Sequence, residues 1–204
     1  SKDKIGPEVT FGIYMEKQIN EPILIIKTSW GGRDLHTCFR PPSAGPYVWS
    51  DYEVNQRKGR HEPVEKLQAD KITETGATYR LMIEHVRKVL ANINGVIPEY
   101  DPKQGYELAG FVWFQGFNDL VNTWSYETSP YGCNQPGGYD LYSKLLADLI
   151  RDVRKDLSAP KMPFVIGVMG IGGVKEGQKP PQSIFRKAQA APAWLPEFQG
   201  NVVA

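Results

Sequence analysis

Two short segments hold the residue types from which a site for an anion or a developing oxyanion can be built. The first is Thr28-Ser29-Trp30-Gly31-Gly32-Arg33-Asp34, directly after the apolar run Ile23–Lys27. Paired glycines at a strand end permit positive φ and close backbone approach. Their N–H groups then stand free for an anion or a developing oxyanion, or the pair makes a tight turn. The second segment is Trp113-Phe114-Gln115-Gly116-Phe117-Asn118-Asp119, after the apolar run Gly110–Phe114. Gln115 and Asn118 each bring an amide N–H donor to a strand's C-terminal end, where parallel α/β proteins place their ligands. The alternative is an Asx-type turn in which Asn and Asp bond only local backbone.

Other chemistries find less support. Ser29 precedes the glycine pair, but a nucleophile elbow needs a glycine two residues earlier, and Lys27 is there. The histidines are His36, His61 and His85. His85 lies off the apolar stripe of its helix. His61 sits in the charged run Arg57–Glu62, read as a solvated face. His36 follows the glycine motif and is the one placed to meet a substrate. There is no H-E-x-x-H and no His pair at i, i+4. Gly170-Ile171-Gly172-Gly173 follows a strand, but Lys175 stands where a dinucleotide loop has its third glycine, and Pro180-Pro181 delays the next helix. Cys38 and Cys133 are too few for a disulfide scaffold or a four-cysteine metal site. They make one disulfide or two thiols.

The elements that must position these segments follow from periodicity. Pro7-Glu8 opens a helix carrying Phe11, Met15 and Ile19. A second helix runs from about Thr75 to Asn94, with Tyr79, Met82, Ile83, Val86, Leu90 and Ile93 on one face. A third runs from about Tyr139 to Leu157, on Tyr142, Leu145, Leu146, Leu149 and Val153. A fourth follows Pro181 with Ile184, Phe185, Ala188 and Ala191. Strands are expected at Ile23–Lys27, Gly110–Phe114, Phe164–Met169 and Asn201–Ala204. Their unbroken apolar character predicts burial on both faces, hence a parallel α/β sheet between helical layers. Long loops are expected over Thr28–Thr73 and Asn118–Gly138. They carry Trp30, His36, Phe39, Tyr47, Trp49, Tyr52, Trp124, Tyr126 and Tyr131, rings that stack on a sugar or pack on one another.

The chain has 204 residues, with 24 Lys+Arg against 23 Asp+Glu and a formal net charge of +1. Such balance leaves no electrostatic footprint for nucleic acid and no polybasic cluster for an anionic membrane. The apolar fraction of 41% suits a globular chain rather than a disordered one. The longest apolar runs are far too short to span a bilayer.

In combination, these motifs resemble the SGNH hydrolase superfamily, within it the sialate O-acetylesterase-like domain of carbohydrate esterases. Gly116-Phe117-Asn118-Asp119 resembles the family's Gly-x-Asn-Asp block, and Trp113-Phe114-Gln115-Gly116 its Trp-aromatic-Gln-Gly lead-in. Gly31-Gly32 resembles the preceding glycine block. Gly6-Pro7-Glu8 and Phe185-Arg186-Lys187-Ala188-Gln189 resemble further segments of the same branch. The resemblance implies an oxyanion hole of Gly32 N–H and the Asn118 side chain with Gln115 nearby, and substrate contacts at Trp30, Arg33, His36, Gly116 and Asp119. It implies removal of acetyl groups from carbohydrate hydroxyls, no cofactor, no metal, and an extracellular or periplasmic setting. It leaves the oligomeric state open. The implied fold is a three-layer αβα, flavodoxin-like, with strand order 2-1-3-4-5.

The chain departs from the family in two places. It has no N-terminal Gly-Asp-Ser or Gly-Gln-Ser-Asn block and no C-terminal Asp-x-x-His block. Residues 1–204 are therefore expected to be a single partial domain, inactive alone and not an independent folding unit. The missing strand would lie between Ile23–Lys27 and Gly110–Phe114. The competing expectation is a non-catalytic carbohydrate-binding protein on a degenerate esterase fold.

Overall fold

The computed structural model describes residues 6–19, 21–126, 133, 136–171, 173 and 180–204. Tyr131, Gly172 and Lys175 lie outside them. Three short strands form one parallel sheet in the order β1-β2-β3: β1 Phe111–Trp113, β2 Phe164–Ile166 and β3 Val202–Val203. Phe111 stands beside Phe164, and Phe164 beside Val202. The helices are α1 Pro7–Gln18, α2 Asp51–Gly59, α3 Val64–Glu74, α4 Ala77–Ala91, α5 Phe117–Val121, α6 Asp140–Asp156 and α7 Gln182–Ala190. The chain is an α/β protein with a parallel sheet, as its patterning predicts. None of the described helices is long and apolar enough to cross a membrane.

Helix α6 organises the core. Tyr142, Leu145, Leu146, Leu149, Ile150 and Val153 recur at helical spacing and are all buried. They pack with Trp113, Phe164, Ile166 and Val202 from the sheet, with Tyr79, Met82 and Ile83 of α4, and with Phe185 of α7. Arg154, also buried, fastens the end of α6 to the strand entrances. Its guanidinium donates to the Met162 carbonyl at 2.9 and 3.1 Å and to the Asn201 side chain at 2.8 Å. It has five N–H groups to satisfy, and carbonyl oxygens do so without a buried carboxylate.

Alternation along the strands sends Trp113, Phe164, Ile166 and Val202 into this core and turns Val112, Val165 and Val203 the other way. Val112 is 51% exposed and Phe114, just beyond β1, is 68% exposed. Among the described residues only one face of the sheet is covered.

The expected burial of the strands on both faces is thus not met among the described residues, and two further expectations are corrected. Ile23–Lys27 forms no strand. A strand needs a neighbour for its N–H and C=O groups, and no described segment pairs with it or with the outer edge of β1. The segment instead runs by α1, where Lys27 Nζ meets Glu8 Oε1 at 2.6 Å, and Ile23, Leu24 and Ile25 stay exposed. The second correction concerns Thr28–Thr73, expected as one long loop. It holds α2 and α3. Ser50 caps α2, its hydroxyl accepting from Glu53 N–H at 3.0 Å, and Ser50-x-x-Glu53 is a capping-box spacing. The helices expected near residues 7–19, 75–94, 139–157 and after 181 are present within a few residues of those limits.

Leu149→Ala should therefore lower the unfolding free energy of the full-length protein by ~2–5 kcal/mol. Val165→Ala, on the uncovered face, should cost under ~1 kcal/mol. Urea unfolding followed by tryptophan fluorescence measures both. Equal costs would contradict the one-sided core.

Candidate functional site

The Thr28–Asp34 segment meets the Gln115–Asp119 segment just beyond the C-terminal end of β1. Asp34 ends the glycine motif and starts a tight turn. Its Oδ1 accepts from Thr37 N–H at 3.0 Å and Cys38 N–H at 2.9 Å. Asp119, on α5, takes the two preceding donors, Leu35 N–H at 2.9 Å and His36 N–H at 3.1 Å. Two carboxylates thus satisfy four consecutive buried N–H groups.

The amide side chains converge on one atom. Asn118 Nδ2 donates to the Arg33 carbonyl at 3.1 Å, and Gln115 Nε2 donates to the same oxygen at 3.0 Å. Gln115 Nε2 also donates to Asp119 Oδ2 at 2.6 Å, while Tyr142 OH donates to Gln115 Oε1 at 3.3 Å. Both N–H groups of Gln115 are thereby committed. Asn118 Nδ2 uses one hydrogen on Arg33 and keeps a second. Gly32 is exposed with φ of 71°, a left-handed conformation that favours glycine. No described residue accepts its N–H. A side chain at Gly32 would meet nothing, so backbone conformation, rather than space, calls for glycine there.

Gly116 is required for the opposite reason. A Cβ there would fall 2.6 Å from Gln189 Nε2, 2.9 Å from Phe185 Cε1 and 3.2 Å from Met169 Cε. Gln189 is itself fully buried. It donates to the Gln115 carbonyl at 3.0 Å and accepts from Met169 N–H at 3.0 Å, clipping together the chain beyond β1 and β2.

The family described as carbohydrate esterase, sialic acid-specific acetylesterase, matches residues 1–199. The chain belongs to this family. No curated protein and no solved structure matches it. Membership makes an ester-hydrolysing role on carbohydrate the coarse function, and the SGNH fold fits it.

Measured against the site expected of such an esterase, the residues divide. Gly32, Asn118, Trp30 and Arg33 are accessible at one locality. Trp30 is 39% exposed and leans on Phe39, with ring centroids 6.2 Å apart. Arg33 is exposed, with Nη1 3.8 Å from Cys38 Sγ. Gln115 is held by three partners and has no amide hydrogen left for a substrate. Gly116 is a packing position beneath the site.

His36 and Asp119, expected against the substrate, are interior. Asp119 is 0% exposed. His36 is 2% exposed, its ring edge-on to Tyr47 and Tyr126 at 4.5 and 5.0 Å. Burial, then the Arg40 charge, lowers its pKa to about 3, so the imidazole is neutral. Its Nδ1 has no partner among the described residues. His61 and His85 are exposed, on the turn after α2 and on α4. Cys38 and Cys133 are both buried and are not joined in a disulfide, and burial raises the Cys38 pKa.

Sequence reasoning missed Gln189, Tyr142 and the link from Tyr126 OH to Asp119 Oδ1. Gln189 lies in the segment that resembles the family, but nothing in its spacing says that it bridges two strand ends. Gly116→Ala should cost ~1–3 kcal/mol through forced displacement of Gln189 and Phe185, read as a lower midpoint of thermal unfolding. A neutral result would mean that these side chains yield freely.

Proposed function

We propose that the chain supplies the oxyanion hole and substrate-facing loops of a serine-type carbohydrate O-acetylesterase. Acetylated sugars, sialic acid or plant polysaccharide, are its substrate class. The observation that carries this reading is the tie from Asn118 Nδ2 to the Arg33 carbonyl. It anchors the amide one residue past Gly32, whose own N–H is unclaimed. Two unspent donors, one backbone and one side chain, then serve a single oxygen as its charge develops. The substrate carbonyl is attacked by a serine hydroxyl, an imidazole takes the proton, and the tetrahedral oxyanion falls between Gly32 N–H and Asn118 Nδ2. The His36 ring is buried, and His61 and His85 are exposed on the turn after α2 and on α4. We therefore place the attacking hydroxyl and the imidazole outside these 204 residues. Trp30 offers an apolar ring face to the sugar, and Arg33 a charge to an acidic one.

No described cluster of three or more His, Cys, Asp or Glu is arranged to hold a metal ion, and no step in this reading calls for one.

Asn118→Ala in the full-length enzyme should lower kcat on p-nitrophenyl acetate by ~10²–10³ with KM largely preserved, the pattern for a donor used only in the transition state. An unchanged kcat would remove Asn118 from the oxyanion hole. Acetylated-sugar binding with no hydrolysis by the unsubstituted full-length protein would favour the degenerate, non-catalytic reading.

A further inference from the structure

Asp119 invites the question of why a carboxylate should be buried completely behind an oxyanion hole. We infer that Asp119 is a positioning residue, whose carboxylate locks the glycine loop, Gln115 and the loop after α5 into the arrangement that aims Gly32 and Asn118. This rests on the esterase reading for its catalytic consequence, while the geometry stands without it.

Four donors from three places in the chain converge on the carboxylate. Leu35 N–H reaches both oxygens, at 3.1 and 2.9 Å, and His36 N–H reaches Oδ1 at 3.1 Å. Gln115 Nε2 reaches Oδ2 at 2.6 Å, and Tyr126 OH donates to Oδ1. Leu35 and His36 lie two and three residues past Arg33, the residue whose carbonyl fixes the Asn118 and Gln115 amides. Asn118 is the immediate neighbour of Asp119 on α5. The same carboxylate therefore holds both ends of the link that aligns the two donors. Only an ionised carboxylate accepts from all four without placing an acid O–H against one of them.

The groups facing it are of known character. Asp34 approaches from the glycine loop, Tyr126 from the loop after α5, and Tyr142 from α6, with the neutral His36 ring against Tyr126. Burial first, and then the Asp34 charge, push the Asp119 pKa up to about 6, against the pull of hydrogen bonds from Gln115, Tyr126 and Leu35. The sign follows. A carboxyl whose folded-state pKa is raised favours folding most when protonated, and that contribution is lost as pH rises through about 6. The ionised form that aligns the site is thus carried at a net cost, one that other packing offsets. Below that pH the carboxyl is protonated, its contact with one of the four donors turns repulsive, and the donors lose their aim.

The test uses the full-length enzyme with p-nitrophenyl acetate and, in parallel, amide proton NMR. Asp119→Asn should lower kcat by ~10-fold or more with KM within ~3-fold, because it spoils the transition-state donors and spares ground-state binding. It should also remove the Asp119 share of the acidic limb of the kcat profile near pH 6, leaving the limb set by the imidazole that takes the serine proton. Tyr126→Phe removes one donor to the carboxylate, so the Asp119 share should move to higher pH. In the NMR arm, the Leu35 and His36 amide protons of the unsubstituted protein should titrate together. In Asp119→Asn that titration should vanish, and the Asn118 side-chain and Gly32 backbone signals should shift. A merely structural Asp119 would lower the melting temperature and leave kcat per folded molecule and the pH limb unmoved. That result overturns the proposal, as would Asn118 and Gly32 signals indifferent to the substitution. Absence of esterase activity in the unsubstituted protein would instead overturn the esterase reading, and the NMR arm would then decide the positioning role by itself.

Discussion

Backbone N–H groups buried without an acceptor are costly, and the turn from Leu35 to Cys38 buries four in succession. Neither a helix nor a sheet takes them. Two carboxylates do, Asp34 from within the turn and Asp119 from across the site. The local half of this solution is an ordinary Asx turn. The remote half joins positions separated by more than eighty residues, and through it the glycine motif acquires a fixed place relative to β1. The location of Gly32, the direction of the Asn118 amide and the burial of His36 all follow from that join.

The join needs a rigid floor, and α6 provides it. Its apolar face covers the sheet from one side, Tyr142 reaches up to Gln115, and Arg154 ties its far end to the entrances of β2 and β3. Gln189 on α7 then closes the gap between the strand ends under the site. Polar groups buried in a low-dielectric core specify geometry sharply when all of them are satisfied. Here Gln115, Gln189, Arg154 and Asp119 each meet several partners, so the polar interior fixes where the strand ends stand while the apolar interior supplies most of the stability.

The legibility of the sequence follows the range of the interaction involved. Helices α4 and α6 were readable because burial of one face leaves a 3.6-residue period in the residues themselves. Helix α2 was hidden by its polar composition, although Ser50 and Glu53 carried a capping signal. The apolar run at Ile23–Lys27 read as a strand because composition cannot report whether a partner strand is at hand. At the site, Gly32 and Asn118 are legible as an exposed glycine and an amide donor beyond a strand end because their chemistry is short-range and motif-like. Asp119 and His36 were misplaced into the substrate site because a polar residue beside a motif looks alike whether it faces solvent or core. Only the fold distinguishes a carboxylate that touches substrate from one that holds the groups that do.

The charge of Asp119 also constrains how such a site can work. A buried carboxylate and the Arg33 carbonyl are both electron-rich, and both lie behind the donors meant to stabilise a second negative charge. By simple Coulomb reasoning their presence opposes the oxyanion. The four donors to Asp119 disperse part of its charge, but they add none of the opposite sign, and among the described residues no lysine or arginine forms an ion pair with it. On the esterase reading, stabilisation of the oxyanion therefore draws on the alignment of two nearby dipoles. Dipoles fixed before reaction need no reorganisation during it, and a nearby amide outweighs a more distant screened charge because its interaction acts at hydrogen-bond range. A site built this way tolerates a negative charge at its back only while the geometry that charge enforces remains intact.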